Sequence, residues 1–322
     1  MAVALSLNSE VRYYQTGTPH DAKEAVLLMT TKQNIDPRIF ELYDEYCHGH
    51  IDRREFLKRA TVMTVGGVSA LWMAEALLPR YAEAQTISFT DSRMKGTYVE
   101  YPSPGGTSGT MRGYLVQPTS EGPHPAVMVM HENRGLNPHI EDVARRAAVA
   151  GFLALAPDGL SPVGGYPGND DDGRTLQRSL DPARLDQDMV NSARYLKDHE
   201  LSTGRLGATG FCWGGGMTNR LAVTLGRDLA AGVPFYGSTA PSDDVAKITA
   251  ALMIIYAGTD PRINALWPEY EVALKAHGVS YEMHMFEGTL HGFHNNSTPR
   301  YNEAAAALAW NRTVGFFRKH LV

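Results

Sequence analysis

Cysteine is almost missing from this sequence: 322 residues hold two, Cys47 and Cys212. Two thiols so far apart make no disulfide framework, and without a CxxC or Cys/His pairing no zinc site or other metal centre is expected. A dominant charge is missing too. Thirty Lys and Arg stand against 35 Asp and Glu, for a net charge of −5, which offers nucleic acid no basic footprint. Long apolar runs are scarce. The longest, Ala60 to Leu78, spans roughly 19 residues and contains Gly66, Gly67 and Glu75, a poor membrane anchor. No internal repeat or low-complexity tract occurs.

With 43% hydrophobic and 20% charged residues, the chain can bury a sizeable core. Its length suits one large α/β domain and a smaller appendage.

Residues 1–85 read as that appendage. Apolar spacing from Asp36 through Tyr46 is helical, with Pro37 placed as a first-turn residue. His48 and His50 follow on a turn, read as a solvated loop. Then come Arg53-Arg54, Phe56-Leu57-Lys58, the apolar stretch, Pro79 and Ala82-Glu83-Ala84, like a cleavage site with small residues at −3 and −1. The arrangement resembles a twin-arginine export signal, implying a periplasmic or exported protein and the twin-arginine export machinery as partner. The alternative is a retained helical extension on a cytoplasmic protein. Removal after Ala84 would leave Cys212 as a lone thiol in an oxidising compartment, which counts against export.

Residues 86–322 read as one catalytic domain. Residues 110–117 alternate like a half-buried strand after the turn-rich 102–106. The short apolar runs 126–130, 152–156, 205–209, 230–236 and 251–256 suit parallel strands covered on both faces. Residues 280–286 alternate again. Helices are expected over 139–150, 182–199, from about Met217, over 267–277 and over 303–319, and a Gly/Pro/Asp-rich loop over 159–173. This alternation predicts a mostly parallel sheet with helices on both faces.

Gly210-Phe211-Cys212-Trp213-Gly214-Gly215-Gly216 joins a strand to a helix, as a nucleophile elbow does. The sharp turn lifts Cys212 above the sheet edge and near a helix N-terminus, whose partial positive charge favours a thiolate. An elbow predicts an acid and then a histidine, each after a later strand. Asp260 follows 251–256, and His291 follows 280–286, with His294 as the competing imidazole. The expected roles are Cys212 as nucleophile, His291 as base and Asp260 as the group that orients it. The backbone N–H groups of Trp213 and Asn133 are the candidate oxyanion donors.

Residues 95–320 resemble the dienelactone hydrolase family of α/β-hydrolases. The resemblance rests on His131-Glu132-Asn133-Arg134-Gly135, Ala156-Pro157-Asp158, the cysteine elbow, Ala257-Gly258-Thr259-Asp260 and His291-Gly292-Phe293. It implies an α/β-hydrolase fold, hydrolysis of small esters or lactones without a cofactor, and a role for Glu132 in activating the cysteine. It also implies arginines that hold a substrate carboxylate, one of them shortly after the catalytic histidine. No arginine stands there, leaving Arg134, Arg174, Arg178 and Arg300 as candidates; each read singly is a surface charge. A carboxylesterase or thioesterase for another acyl group and a non-catalytic binding protein are the alternatives.

Overall fold

The computed structural model describes residues 37–63 and 79–322. Two helices come first, α1 (Pro37–Cys47) and α2 (Arg53–Met63). Asp52 starts α2 by accepting the Glu55 amide at 2.7 Å, satisfying one of the donors a helix leaves open in its first turn. Ile39, Leu42, Tyr43, Tyr46, Phe56 and Ala60 form the pair's own apolar cluster. Arg53 and Arg54 are thus surface residues of a folded helical hairpin. Residues 64–78 of the export-like stretch lie outside the described residues.

Eight strands then form one sheet in the order β1-β2-β4-β3-β5-β6-β7-β8: β1 (Met94–Ser103), β2 (Gly109–Pro118), β3 (His124–Met130), β4 (Leu153–Pro157), β5 (Ser202–Phe211), β6 (Ala231–Phe235), β7 (Ala251–Thr259) and β8 (Tyr281–Leu290). Strands β1 and β2 run antiparallel to their neighbours, and every pairing from β4 to β8 is parallel. Between them lie α3 (Pro138–Val149), α4 (Asp170–Ser179), α5 (Pro182–Lys197), α6 (Trp213–Leu225), the short α7 (Pro261–Asn264), α8 (Trp267–Ala276) and the closing α9 (Glu303–Leu321).

Side chains alternate across a strand, so a strand covered on both faces reads as one apolar run. In β3, Ala126, Met128 and Met130 join the layer under α5, α6 and α8, while Val127 and Val129 join the layer under α3 and α9. This is the α/β-hydrolase fold expected from the sequence. Three local expectations need correction. Strand β1 was not anticipated. The loop over 159–173 is shorter, because Asn169 caps α4 and its helix begins at Asp170. Helix α6 starts at Trp213, four residues early, directly from the cysteine.

Among the described residues, no helix is long and apolar enough to cross a membrane. Ala84, the expected cleavage residue, is buried, and its carbonyl accepts from Asn296 at 2.6 Å.

Candidate active site

The sheet puts the proposed machinery on one edge. Cys212, Asp260 and His291 each follow directly on the carboxyl end of a strand, β5, β7 and β8. Open α/β sheets collect ligands at that edge.

Cys212 is held at φ 55° and ψ −111°, left-handed backbone that few non-glycine residues adopt. The turn is enforced by close packing. A Cβ on Gly214 would lie 2.5 Å from the His131 carbonyl, and one on Gly215 would lie 2.3 Å from that of Phe235. Without those side chains α6 runs hard against β3 and β6, and the cysteine amide donates to Phe235 at 3.1 Å. Trp213 occupies the first position of α6, so the helix leaves its N–H unpaired. Asn133 lies opposite, on the loop after β3.

His291 Nδ1 sits 2.5 Å from Asp260 Oδ2, and both residues are buried. Asp260 uses its other oxygen to cap α7, accepting from Ile263 at 3.3 Å, which fixes the carboxylate. Burial opposes charge on His291, but Cys212 and Asp260 together raise its pKa. Burial would also push the Cys212 thiol up; the imidazoles of His291 and His48 outweigh it and bring the thiol down to about 5. His294 does not reach the site. It stacks on Phe211 in the core, 4.8 Å between ring centroids.

His48 is the residue that sequence reasoning misplaced. It lies not in a solvated loop but over Cys212, its Nε2 3.6 Å from Cys212 Sγ and its ring 5.0 Å from that of His291. One ligand atom from each of His48, Cys212 and His291 falls within 4.8 Å of the others. The available signal was Asp44, four residues before His48 on the same helix face.

Glu132 is buried, 3.3 Å from Arg134 and accepting from Asn295 at 3.1 Å. Burial would raise its pKa, yet the Arg134 charge outweighs that and lowers it. Arg134 also donates to Asp170 at 2.6 Å. The surface reading of the arginines is therefore overturned at three positions. Arg134, Arg174 and Arg300 are buried, paired respectively with Glu132 and Asp170, with Asp171, and with Asp44. Arg178 stays exposed. Tyr236, also unanticipated, holds positive φ at the end of β6 and packs 4.9 Å from the His291 ring.

A cavity of about 400 Å³ opens beside Trp213, the residue after Cys212, lined also by Cys47 and His48 of the hairpin, by Asn133 and by Arg174 and Arg178; Cys212, Asp260 and His291 do not line it. The hairpin is clamped on its rim. Asn133 Nδ2 donates to the Cys47 carbonyl at 2.8 Å, Arg174 and Arg300 cover the rings of Tyr46 and Tyr43, and Tyr46 hydrogen-bonds Asp171.

The model of the dienelactone hydrolase family matches residues 111–321. The chain belongs to that family. It is accordingly a hydrolase acting on ester bonds. A second family model, described as YqhI-like, matches residues 29–66, the stretch that contains the hairpin. A Bradyrhizobium relative named as a 2-oxo-3-(5-oxofuran-2-ylidene)propanoate lactonase is 34% identical over 231 residues, 67% of this chain and 92% of its own. A hydrolase fragment of Escherichia coli K12 is 60% identical over 116 residues, 36% of this chain and 98% of its own. The crystal structure of a Klebsiella pneumoniae protein described as a dienelactone hydrolase superposes with a TM-score of 0.61 at 26% identity, covering 70% of this chain and 99% of that one.

Proposed function

We propose that the protein hydrolyses small lactones or esters through an acyl-enzyme on Cys212. The observation that carries this reading is the 2.5 Å contact of His291 with Asp260, set beside a cysteine lifted out of the sheet at φ 55°. Sγ attacks the carbonyl carbon, and the amides of Trp213 and Asn133 receive the oxyanion. The carbon–oxygen bond then breaks, and the alkoxide takes up the proton that the thiol had given to an imidazole. Water next gives its proton to His291 and its oxygen to the thioester carbon, and the carbon–sulfur bond breaks to release the acid. No step calls for a cofactor.

The relatives' names favour a lactone as substrate, and a cavity of this size suits a small one. Among the described residues Arg178 is the lining arginine with no carboxylate within salt-bridge reach, so it is the proposed contact for an acidic substrate group. We also favour retention of the hairpin on a cytoplasmic protein over export and cleavage, because its residues wall the cavity. N-terminal sequencing of the protein from its native cell tests that point.

For the reaction, a panel of lactones and simple esters is assayed with wild-type protein and Cys212→Ala, and the acyl-enzyme is trapped for mass spectrometry. A substrate-derived mass on the elbow peptide supports the proposal. Turnover that survives Cys212→Ala sinks it.

A further inference from the structure

The thiol of Cys212 lies within reach of two imidazoles, those of His48 and His291, and both lower its pKa. Its Sγ meets His48 Nε2 at 3.6 Å, whereas His291 Nε2 has no hydrogen-bond partner among the described residues. His48 is also built into place. Helix α1 ends in a Schellman motif, with Gly49 at φ 76° donating to Tyr46 at 3.0 Å and His50 donating to Glu45 at 2.9 Å. That motif makes His48 the last residue of the turn. Its Nδ1 lies 2.8 Å from the Asp44 carbonyl and 3.3 Å from the Asp44 carboxylate, which in turn meets Arg300 at 3.4 Å. Nδ1 therefore carries a hydrogen and Nε2 presents a lone pair, the arrangement that a carboxylate behind a histidine imposes in Asp260–His291 as well.

We propose that His48 is a catalytic residue supplied by the N-terminal hairpin, taking the Cys212 proton in the free enzyme, so that the active site is incomplete without residues 37–63. The inference rests on the reading of Cys212 as nucleophile. It reassigns to His48 the contact with the cysteine that the family resemblance implied for Glu132, which is held here by Arg134 and Asn295.

The proton leaves Sγ and arrives on Nε2, giving a thiolate beside an imidazolium and leaving His291 neutral. After attack the departing alkoxide takes that proton from His48. Water then gives its proton to His291, the thiolate leaves the acyl carbon, and the proton returns across Sγ to His48. One histidine serves the thiol and the other the water.

The groups facing His48 are Asp44 on its own helix, His50 with rings 6.2 Å apart, Arg262 after β7, His291 after β8 and Cys212 itself. Arg262 contacts Nε2 at 2.8 Å and can only donate, so its contact belongs to the neutral ring. Being exposed, it can withdraw into solvent when the ring charges. Burial opposes that charge, but Asp44 and the Cys212 sulfur outweigh it and raise His48 to about 10.

The test is the pH dependence of Cys212 alkylation by iodoacetamide in the full-length protein, with the labelled peptide identified by mass spectrometry. Wild type and the exposed-site control His50→Asn should titrate near pH 5. His48→Asn and His48→Gln should both titrate at least about one unit higher, and lose about 100-fold in kcat with little change in KM. His48→Gln keeps a polar atom in reach of Nε2's position, and its circular dichroism and melting temperature report whether the hairpin stays docked. An unshifted midpoint in a folded His48→Gln overturns the proposal. So does faster turnover, which would make the hairpin a plug. Because alkylation needs no turnover, this outcome is separate from any failure of the hydrolase reading.

Discussion

Asn295 donates to Glu132 at 3.1 Å from within the loop that carries His291. In a buried site this neutral amide leaves one carboxylate to share one guanidinium, Arg134, with Asp170. Breaking a buried charge cluster by removing one partner costs far more than the cluster contributes. Arg134→Met strands two carboxylates, so a loss of about 3–5 kcal/mol is expected. Urea titration should show it as a lowered midpoint. A change within error would mean that the cluster is solvated.

Asp260→Asn keeps an oxygen to cap α7 but cannot stabilise a charged His291. Activity should fall roughly 10²- to 10⁴-fold while the melting temperature barely moves. Steady-state kinetics beside thermal melting separates the two effects.

If the proposed mechanism holds, catalysis needs the thiolate, and kcat/KM should rise with pH through about 5 and then level off. An ordinary cysteine would still be gaining thiolate near pH 8.5. A rate that climbs steadily from pH 6 to 9 contradicts the geometry around Sγ.

Asp158 is buried at the end of β4, and that burial raises it from 3.8 to about 6, although amides of Leu160 and Leu136 oppose the shift. The folded state therefore holds its proton more tightly than the unfolded chain. The contribution is fully present below pH 3.8 and is lost as pH rises through 6. At pH 7 the carboxylate is a burden, so Asp158→Asn should stabilise the protein by about 2 kcal/mol. Calorimetry at pH 7 and pH 4 checks the sign, since the gain should shrink at the lower pH.

Gly215→Ala should do the reverse. Its Cβ would lie 2.3 Å from a backbone oxygen of β6 that cannot move aside cheaply. Loss of both rapid Cys212 alkylation and several degrees of melting temperature is expected; an alanine variant that labels normally would mean that the elbow is looser than it looks.

The candidate site was legible because an elbow constrains its surroundings: a strand, a sharp turn and glycines must coincide in sequence, and Cys212, Asp260 and His291 each come within five residues of the end of a strand-like stretch. Other features left no such local trace. Helix α4 carries three aspartates and Gly173 and has Leu176 as its one apolar residue; it buries Arg174 and Gln177 rather than an apolar stripe, so the spacing of apolar residues does not mark it. Strand β1 exposes six of its ten residues at the sheet edge. The buried arginines defy their usual surface preference because each has a carboxylate partner that sequence spacing cannot reveal. His48 is the clearest case. Its helix was readable, and so was the turn after it, but nothing along the chain says what a helix end will lie against 164 residues later.

The hairpin clasped by Arg262 and Arg300 also has a timetable. A ribosome delivers residues 37–63 early and Arg262 and Arg300, which seat them, only after roughly 200 further residues, so the hairpin must wait for most of the chain. Its docking closes one of the longest loops available to the chain, which places it late in folding. Until that moment Cys212 has no neighbour in His48. An unfinished chain that has passed Cys212 but not Arg262 would thus carry the thiol without its His48 contact, and on the proposed mechanism the thiol would stay unactivated until the hairpin docks.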